Sequence, residues 1–328
     1  MLPLLVDHHR RAAAQLPAQV LDYGEGGSGD ETTLAEAEQA WRAVRLRPRV
    51  LRDVAAVDTS LNLLGTPLQT PVGAAPSALH GLLHDTAERG TAQGARAAGA
   101  LTVLSSRASV PAAEVGADPW WLQVYVLRDR GFTRDAVQAA AAAGARALVL
   151  TGDTPYVAKK LRGPGPAQVT QPPSRQQDPS IGLDVIGWLA EASGLPVLVK
   201  GVLRADDARA CAGAGAAGLV VSNHGGRQLD RALPTADALP EVTDAVDIPV
   251  LVDGGIRSGL DVLCALALGA RAVLLGRPVM WALAADGAAG VEACLRAVTE
   301  DLSRSMALAG AAHLGEVTRD LAVGRPAR

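Results

Sequence analysis

Aromatic residues are scarce in this 328-residue chain, at 3% against 48% apolar residues in all. The core must therefore be aliphatic, built from Leu, Val and Ala, and there is enough of it for one large domain or two. Cysteine is nearly absent. Cys211, Cys264 and Cys294 lie far apart in helix-like stretches, odd in number and without metal-ligand spacing. That pattern argues against a metal site and fits buried, reduced thiols in a cytoplasmic protein. There is no surplus of one charge either: the net charge is −3 with both signs interspersed. No basic stripe appears, which argues against a nucleic-acid partner. No charge-free apolar run reaches the roughly 20 residues of a membrane span. "VQAAAAAGARALVL" comes closest and reads better as a helix end, a turn and a strand. The start, "MLPLLVDHHRR", has its charges on the wrong side of a short apolar run for a signal peptide.

What the chain does have is a recurring unit. "AAGALTVLSS" (97–106), "AAGARALVLTGD" (142–153), "GAGAAGLVVSN" (213–223) and "LGARAVLLGRP" (268–278) share one form. In each, a small-residue helix end meets a glycine suited to the left-handed stop: Gly99, Gly144, Gly215 or Gly269. A continuously apolar run follows, as expected of a strand covered on both faces. Four more runs, at 71–76, 121–126, 196–201 and 249–255, bring the number of expected strands to eight. Helical stretches separate them, such as Thr133–Ala143 with Thr133 as its cap, and Ser258–Leu268. Alternating strands and helices predict a parallel sheet. Eight units in about 210 residues predict a closed α/β barrel, a (β/α)8 TIM barrel, rather than an open doubly wound sheet.

Residues 1–70 precede the barrel, which takes 71–328. The stretch from Thr32 to Val54 begins as a helix, runs on extended and is expected to cover the barrel's bottom or side. Between Asp153 and Pro196 lies the longest connection, of about 40 residues. Its centre, "RGPGPAQVTQPPSRQQDPS", is rich in Pro, Gln and Gly and predicts a flexible loop over about 161–182.

In such a barrel the C-terminal strand ends face the active site. Here every one of those ends is polar. The first run ends in Pro76-Ser77-Ala78 and the second in Ser105-Ser106-Arg107. Gln123 and Tyr125 alternate inward on the third. Thr151 and Asp153 end the fourth and Lys200 the fifth. Ser222-Asn223-His224, with Arg227 beyond, ends the sixth. The seventh ends in Asp253-Gly254-Gly255-Ile256-Arg257 and the eighth in Gly276-Arg277.

These residue types suggest their chemistry. Glycines at the last two ends let backbone N–H groups approach a phosphate, and Arg257 and Arg277 add charged donors. A buried Lys200 needs a negative partner, either a neighbouring carboxylate or a flavin that becomes anionic on reduction. His224, if held by Asp153 across the mouth, can accept a proton near neutral pH. Arg227 offers a fork for a carboxylate. Together they suit removal of hydrogen from the carbon beside a carboxylate. Tyr23 and Tyr125 are possible donors to the substrate.

On "SNHGGRQLD", "LVKGV", "LVDGGIRSGLDV" and "GRPV", in this order, the chain resembles the FMN-dependent α-hydroxy acid oxidases and dehydrogenases, the family of glycolate oxidase, lactate oxidase and mandelate dehydrogenase. The likeness runs from "LDYGEGGSGDETTLAE" to "MALAG". It implies FMN as cofactor and roles for the matching positions. His224 matches the active-site base and Asp153 its carboxylate partner. Arg227 and Tyr23 match the binders of the substrate carboxylate, and Tyr125 the tyrosine on the hydroxyl side. Pro76, Ser77, Ala78, Ser105, Gln123, Thr151, Lys200 and Ser222 match the flavin-ring and ribityl contacts. Asp253, Gly255, Arg257, Gly276 and Arg277 match the ribityl and phosphate end.

Three departures stand out. Arg107 replaces a pocket-lining aromatic, and Lys160, in "YVAKKLRG", replaces a second active-site arginine. The loop after the fourth run is also shorter than in many relatives. A small substrate such as glycolate is disfavoured, and Arg107 suggests a substrate with a second acidic or polar group.

The resemblance implies oxidation of an (S)-2-hydroxy acid to the 2-oxo acid. His224 would take the hydroxyl proton while hydride passes to flavin N5; a carbanion route would use the same base on the α-carbon. The electron acceptor is left open between oxygen, a quinone and another carrier, and a homo-oligomer, a tetramer by resemblance, is expected. Two rivals remain: other FMN-barrel chemistry, such as isopentenyl diphosphate isomerisation, and a non-catalytic FMN-binding protein.

Overall fold

A computed structural model describes residues 1–116, 119–162 and 172–323. Short apolar runs form the strands of a closed parallel barrel: β4 (Val72–Ala74), β5 (Thr102–Ser105), β6 (Trp120–Val124), β7 (Leu148–Thr151), β8 (Val197–Val202), β9 (Gly218–Val221), β10 (Val250–Asp253) and β11 (Ala272–Leu275). They pair in chain order, and β11 closes on β4. The chain is therefore a (β/α)8 TIM barrel, and the open-sheet alternative falls. Ahead of the barrel come β1 (Arg45–Leu46), β2 (Leu61–Leu63) and β3 (Thr66–Leu68); β12 (Ala322–Val323) follows it and pairs with β1.

The helix stops are where small residues and glycine place them. Gly99, Gly144, Gly215 and Gly269 have φ of +67°, +91°, +92° and +104°, a region that costs L side chains energy. Ser258 caps the helix Gly259–Ala267 by accepting from the Asp261 N–H. The expected Thr133 cap is a correction. The helix spans Arg130–Ala142, and Asp129 caps it by accepting from the Phe132 N–H. Thr133 lies inside the first turn, where its hydroxyl donates to Asp129 O and accepts from the Leu127 N–H.

Strand periodicity divides the apolar residues into two sets. Val103, Trp121, Val149, Leu198, Val220 and Leu251 pack with one another inside the barrel. Their neighbours, such as Leu104, Leu122, Leu150, Val199, Val221 and Val252, pack outward with the helices. The antiparallel hairpin β2–β3 brings Leu63 and Leu68 into the inner set and closes the bottom.

The N-terminal segment divides its work. The hairpin lies at the bottom, whereas the stretch expected to cover the bottom or side, from Thr32, begins with a helix that does not. Of α1 (Pro3–Gln15), α2 (Ala18–Glu25) and α3 (Thr32–Ala43), α3 sits at the opposite, site-bearing end. The Trp41 indole N–H donates to Gly254 O at 2.7 Å, and a Cβ on Gly255 would stand 2.4 Å from Ala37 O. Backbone at this strand end can approach α3 only because no side chain intervenes. The centre of the loop expected to be flexible, 163–171, lies outside the described residues. Its C-terminal flank is tied down: Arg128 N–H donates to Gln176 O and Asp178 N–H to Val126 O.

Candidate active site

Moving two residues along each strand from the barrel-filling set reaches the site. Val103 leads to Ser105, Trp121 to Gln123, Val149 to Thr151, Leu198 to Lys200, Val220 to Ser222 and Leu251 to Asp253. The same pleat that points an apolar side chain into the barrel points the next one into the cavity above it. These polar groups form a band. Ser105 Oγ donates to Gln123 Oε1 at 3.2 Å, and Gln123 Nε2 donates to Thr151 Oγ1 at 2.9 Å. Lys200 Nζ donates to Ser222 Oγ at 2.7 Å and lies 3.1 Å from Asp253 Oδ2. Burial disfavours the Lys200 charge, but Asp253 and Asp153 outweigh it and hold the ammonium above its ordinary pKa. Asp253 is thus a carboxylate partner of Lys200.

Above the band is a cavity of about 740 Å³, within the usual range for a small-molecule site. His224 stands at its edge with φ +58°, a conformation rare for a non-glycine residue and strained enough to need support from its surroundings. Support comes from the Ser222 hydroxyl, which accepts from the His224 N–H at 3.0 Å. Gly226, at φ +74°, follows close by, and a Cβ there would meet Leu34 N of α3 at 2.8 Å.

His224 Nδ1 lies 2.9 Å from Asp153 Oδ1. Asp153 can only accept when ionised, so in the neutral ring Nδ1 carries the proton and Nε2 keeps a lone pair. Burial would push the Asp153 carboxyl up, but His224 with Lys200 and Thr154 holds it below the ordinary carboxylate range. Thr154 Oγ1 donates to Asp153 Oδ1 at 3.0 Å.

Arg227, Tyr23 and Lys160 share one corner. The Arg227 guanidinium lies 5.1 Å from the centre of the Tyr23 ring, and Lys160 Nζ lies 5.8 Å from it. Arg227 Nη1 donates to Tyr23 O and Gly26 O, both at 2.7 Å. Its Nε and Nη2 have no protein partner among the described residues. Burial lowers the Arg227 pKa. Burial together with the charges of Arg227 and Arg277 lowers that of Lys160 to about 8.

Tyr125 and Arg107 form the facing wall. Arg107 packs 5.4 Å from the Tyr125 ring centre and donates from Nη2 to Gln177 Oε1 at 3.0 Å. Burial, then the Asp153 charge, raises the Tyr125 pKa.

At the ends of β10 and β11, Arg257 pairs with Glu38 at 3.0 Å, while Arg277 donates to Gly225 O and Glu25 O. Ser77, Gly255 and Gly276 line the cavity here. Asp253 Oδ1 and Arg277 Nε are buried without a protein partner among the described residues. Unmet buried polar groups call for a ligand or water. A flavin mononucleotide fits this donor set: amide, hydroxyl and ammonium groups along the band suit a polar ring system, and glycines with cations suit a phosphate.

Several participants carry no strong signal in the sequence. Thr154 is distinguished only by following Asp153. Gln228 accepts from Ala158 N–H and donates to Tyr156 O, pinning the loop that bears Lys160. Glu88 is buried, and its Oε1 accepts from His80 N–H and Ser109 N–H, both at 2.9 Å, joining two cavity-lining loops. Gln177 and Glu38 are recognisable only from the fold.

The chain matches the family described as FMN-dependent dehydrogenase over residues 12–164 and 163–323. It belongs to that family. Of curated relatives, an L-lactate oxidase from Nostoc sp. is 39% identical, over 95% of this chain and 96% of the relative. Glycolate oxidase 1 from Oryza sativa subsp. indica is 38% identical, over 96% and 94%. Among solved structures, a mandelate oxidase mutant with (S)-mandelic acid superposes with a TM-score of 0.91 at 41% identity, over 96% of both chains. As a member of the FMN-dependent dehydrogenases, the chain is a flavoprotein oxidoreductase acting on CH–OH, with FMN as cofactor.

Proposed function

We propose that the chain oxidises an (S)-2-hydroxy acid to its 2-oxo acid, with His224 as the base. The Asp153–His224 pair carries this reading. A carboxylate fixed to Nδ1 aims a lone pair on Nε2 at the cavity and stabilises the imidazolium that forms when Nε2 takes a proton. The substrate carboxylate is held by the free side of Arg227, with Tyr23 and Lys160 beside it. Tyr125, kept protonated by its buried position, donates to the substrate oxygen. When bound, FMN supplies the two-electron acceptor. Pro76, Ser77, Ala78, Ser105, Gln123, Thr151, Lys200 and Ser222 would hold its ring and ribityl chain; Asp253, Gly255, Arg257, Gly276 and Arg277 would hold its phosphate end. The paired base disfavours isomerase chemistry and a silent binding protein.

The reading extends to a cytoplasmic homo-oligomer, a tetramer by likeness to the family, whose flavin is re-oxidised by oxygen, a quinone or another carrier. No helix among the described residues is long and apolar enough to cross a membrane. The test is anaerobic bleaching of the flavin by a panel of (S)-2-hydroxy acids, followed by readmission of oxygen. Bleaching by at least one acid is expected. A flavin that none of them bleaches overturns the reading. Rapid recovery of colour in oxygen marks an oxidase and slow recovery a dehydrogenase.

A further inference from the structure

Arg107 is a cation that the proposed reaction leaves unused. It follows β5, whereas Arg227 follows β9. In the closed order β4 to β11 these strands stand four apart, so the two guanidinium groups belong to opposite sides of the barrel mouth. Both line the same cavity. Tyr125, whose ring Arg107 packs against at 5.4 Å, lines the cavity with them.

The position of Arg107 is built rather than incidental. Its backbone N–H donates to Ser105 Oγ at 3.1 Å, and its carbonyl accepts from the Leu79 N–H at 3.2 Å. The side chain is half-buried, one face on Tyr125 and Nη2 on Gln177 Oε1. Gln177 is itself fixed by an antiparallel bridge to Leu127. Arg107 Nη1 and Nε have no protein partner, and no carboxylate pairs with Arg107, among the described residues.

The charge balance of the cavity points the same way. Its described lining holds a single carboxylate, Asp253, which faces Lys200; Asp153 stands behind the lining and faces His224. Arg257 has Glu38. A bound phosphate group of charge roughly −2 suits Arg257 and Arg277, and one substrate carboxylate suits Arg227 with Lys160. Arg107 remains, and the exposed Arg128 also lines the cavity. A cation facing a cavity without a counter-ion favours an anionic ligand, and the planar fork of Arg selects a carboxylate.

We propose that Arg107 binds a second carboxylate at the far end of the substrate, so that the preferred substrate is a 2-hydroxydicarboxylic acid. This rests on the reading above, in which Arg227 takes the carboxylate beside the reacting carbon.

The test compares (S)-2-hydroxyglutarate and (S)-malate with (S)-2-hydroxyvalerate and (S)-2-hydroxybutyrate on the FMN-loaded protein. The expected kcat/KM ratio favours the better diacid over its monoacid of equal chain length by at least about tenfold, the scale of a charge-assisted hydrogen bond. In Arg107→Met the ratio falls by about 10- to 100-fold, chiefly through KM, and Arg107→Lys recovers part of it. Binding of the corresponding 2-oxo diacid, read from the perturbed flavin spectrum, weakens in parallel in Arg107→Met. A wild-type ratio at or below one overturns the inference, as does a ratio that Arg107→Met leaves unchanged; in both cases bleaching by monoacids leaves the proposed oxidation standing. Bleaching by no acid of either kind overturns both.

Discussion

His224 and Asp153 meet through Nδ1 and Oδ1 at 2.9 Å, although 71 residues separate them in the chain. The contact joins the end of β7 to the turn after β9, across the intervening β8. It fixes the tautomer of the ring and so decides which nitrogen faces the cavity.

Asp153→Asn follows from that contact. The amide keeps the shape but not the charge, and its NH2 group can face Nδ1, which favours the wrong tautomer. Flavin reduction by a good substrate should slow by about 10²- to 10⁴-fold, as loss of a comparable carboxylate does elsewhere, with little change in substrate affinity. Anaerobic stopped-flow absorbance checks both.

Lys160 gives a pH dependence. With its pKa lowered to about 8 by burial, Arg227 and Arg277, it is charged below that pH and neutral above it. Its contribution to holding a carboxylate is lost as pH rises through about 8, so kcat/KM should fall there through a rising KM. Lys160→Arg should move this limb upward, which a pH profile checks. The sign for stability is opposite. The folded value lies below the ordinary 10.5, so the folded state binds fewer protons between the two values, and stability rises with pH across that window. Lys160→Met should therefore raise Tm at pH 7, by a margin that shrinks towards pH 10.5.

Lys200 and Asp253 form a buried pair at 3.1 Å. Removing one partner strands the other in a low-dielectric interior, at a cost of about 3–5 kcal/mol. Lys200→Met should show this loss in denaturant unfolding of the FMN-loaded protein. Lys200→Met combined with Asp253→Leu should recover a substantial part of it, because no uncompensated charge remains.

Much of this site is legible in the sequence because it obeys strand periodicity. Ser105, Gln123, Thr151, Lys200, Ser222 and Asp253 each stand two residues beyond an apolar residue that fills the barrel, so one pattern places the core and the site together. The residues that periodicity does not place come from outside that pattern. Tyr23 reaches the cavity on α2, ahead of every barrel strand, and no local spacing sets where α2 docks. Glu38 meets Arg257 only because α3 lies over Gly254 and Gly255. The mistaken Thr133 cap has a local cause: Asp129 and Thr133 are both capping types one turn apart, and the helix begins at the earlier.

His224 is the proposed base. Its most direct test is the rate of anaerobic flavin reduction in FMN-loaded His224→Gln, with saturating substrate, against the wild type. A fall of several orders of magnitude is expected, while the oxidised flavin spectrum and FMN content stay those of the wild type. Reduction within about tenfold of the wild-type rate would contradict it.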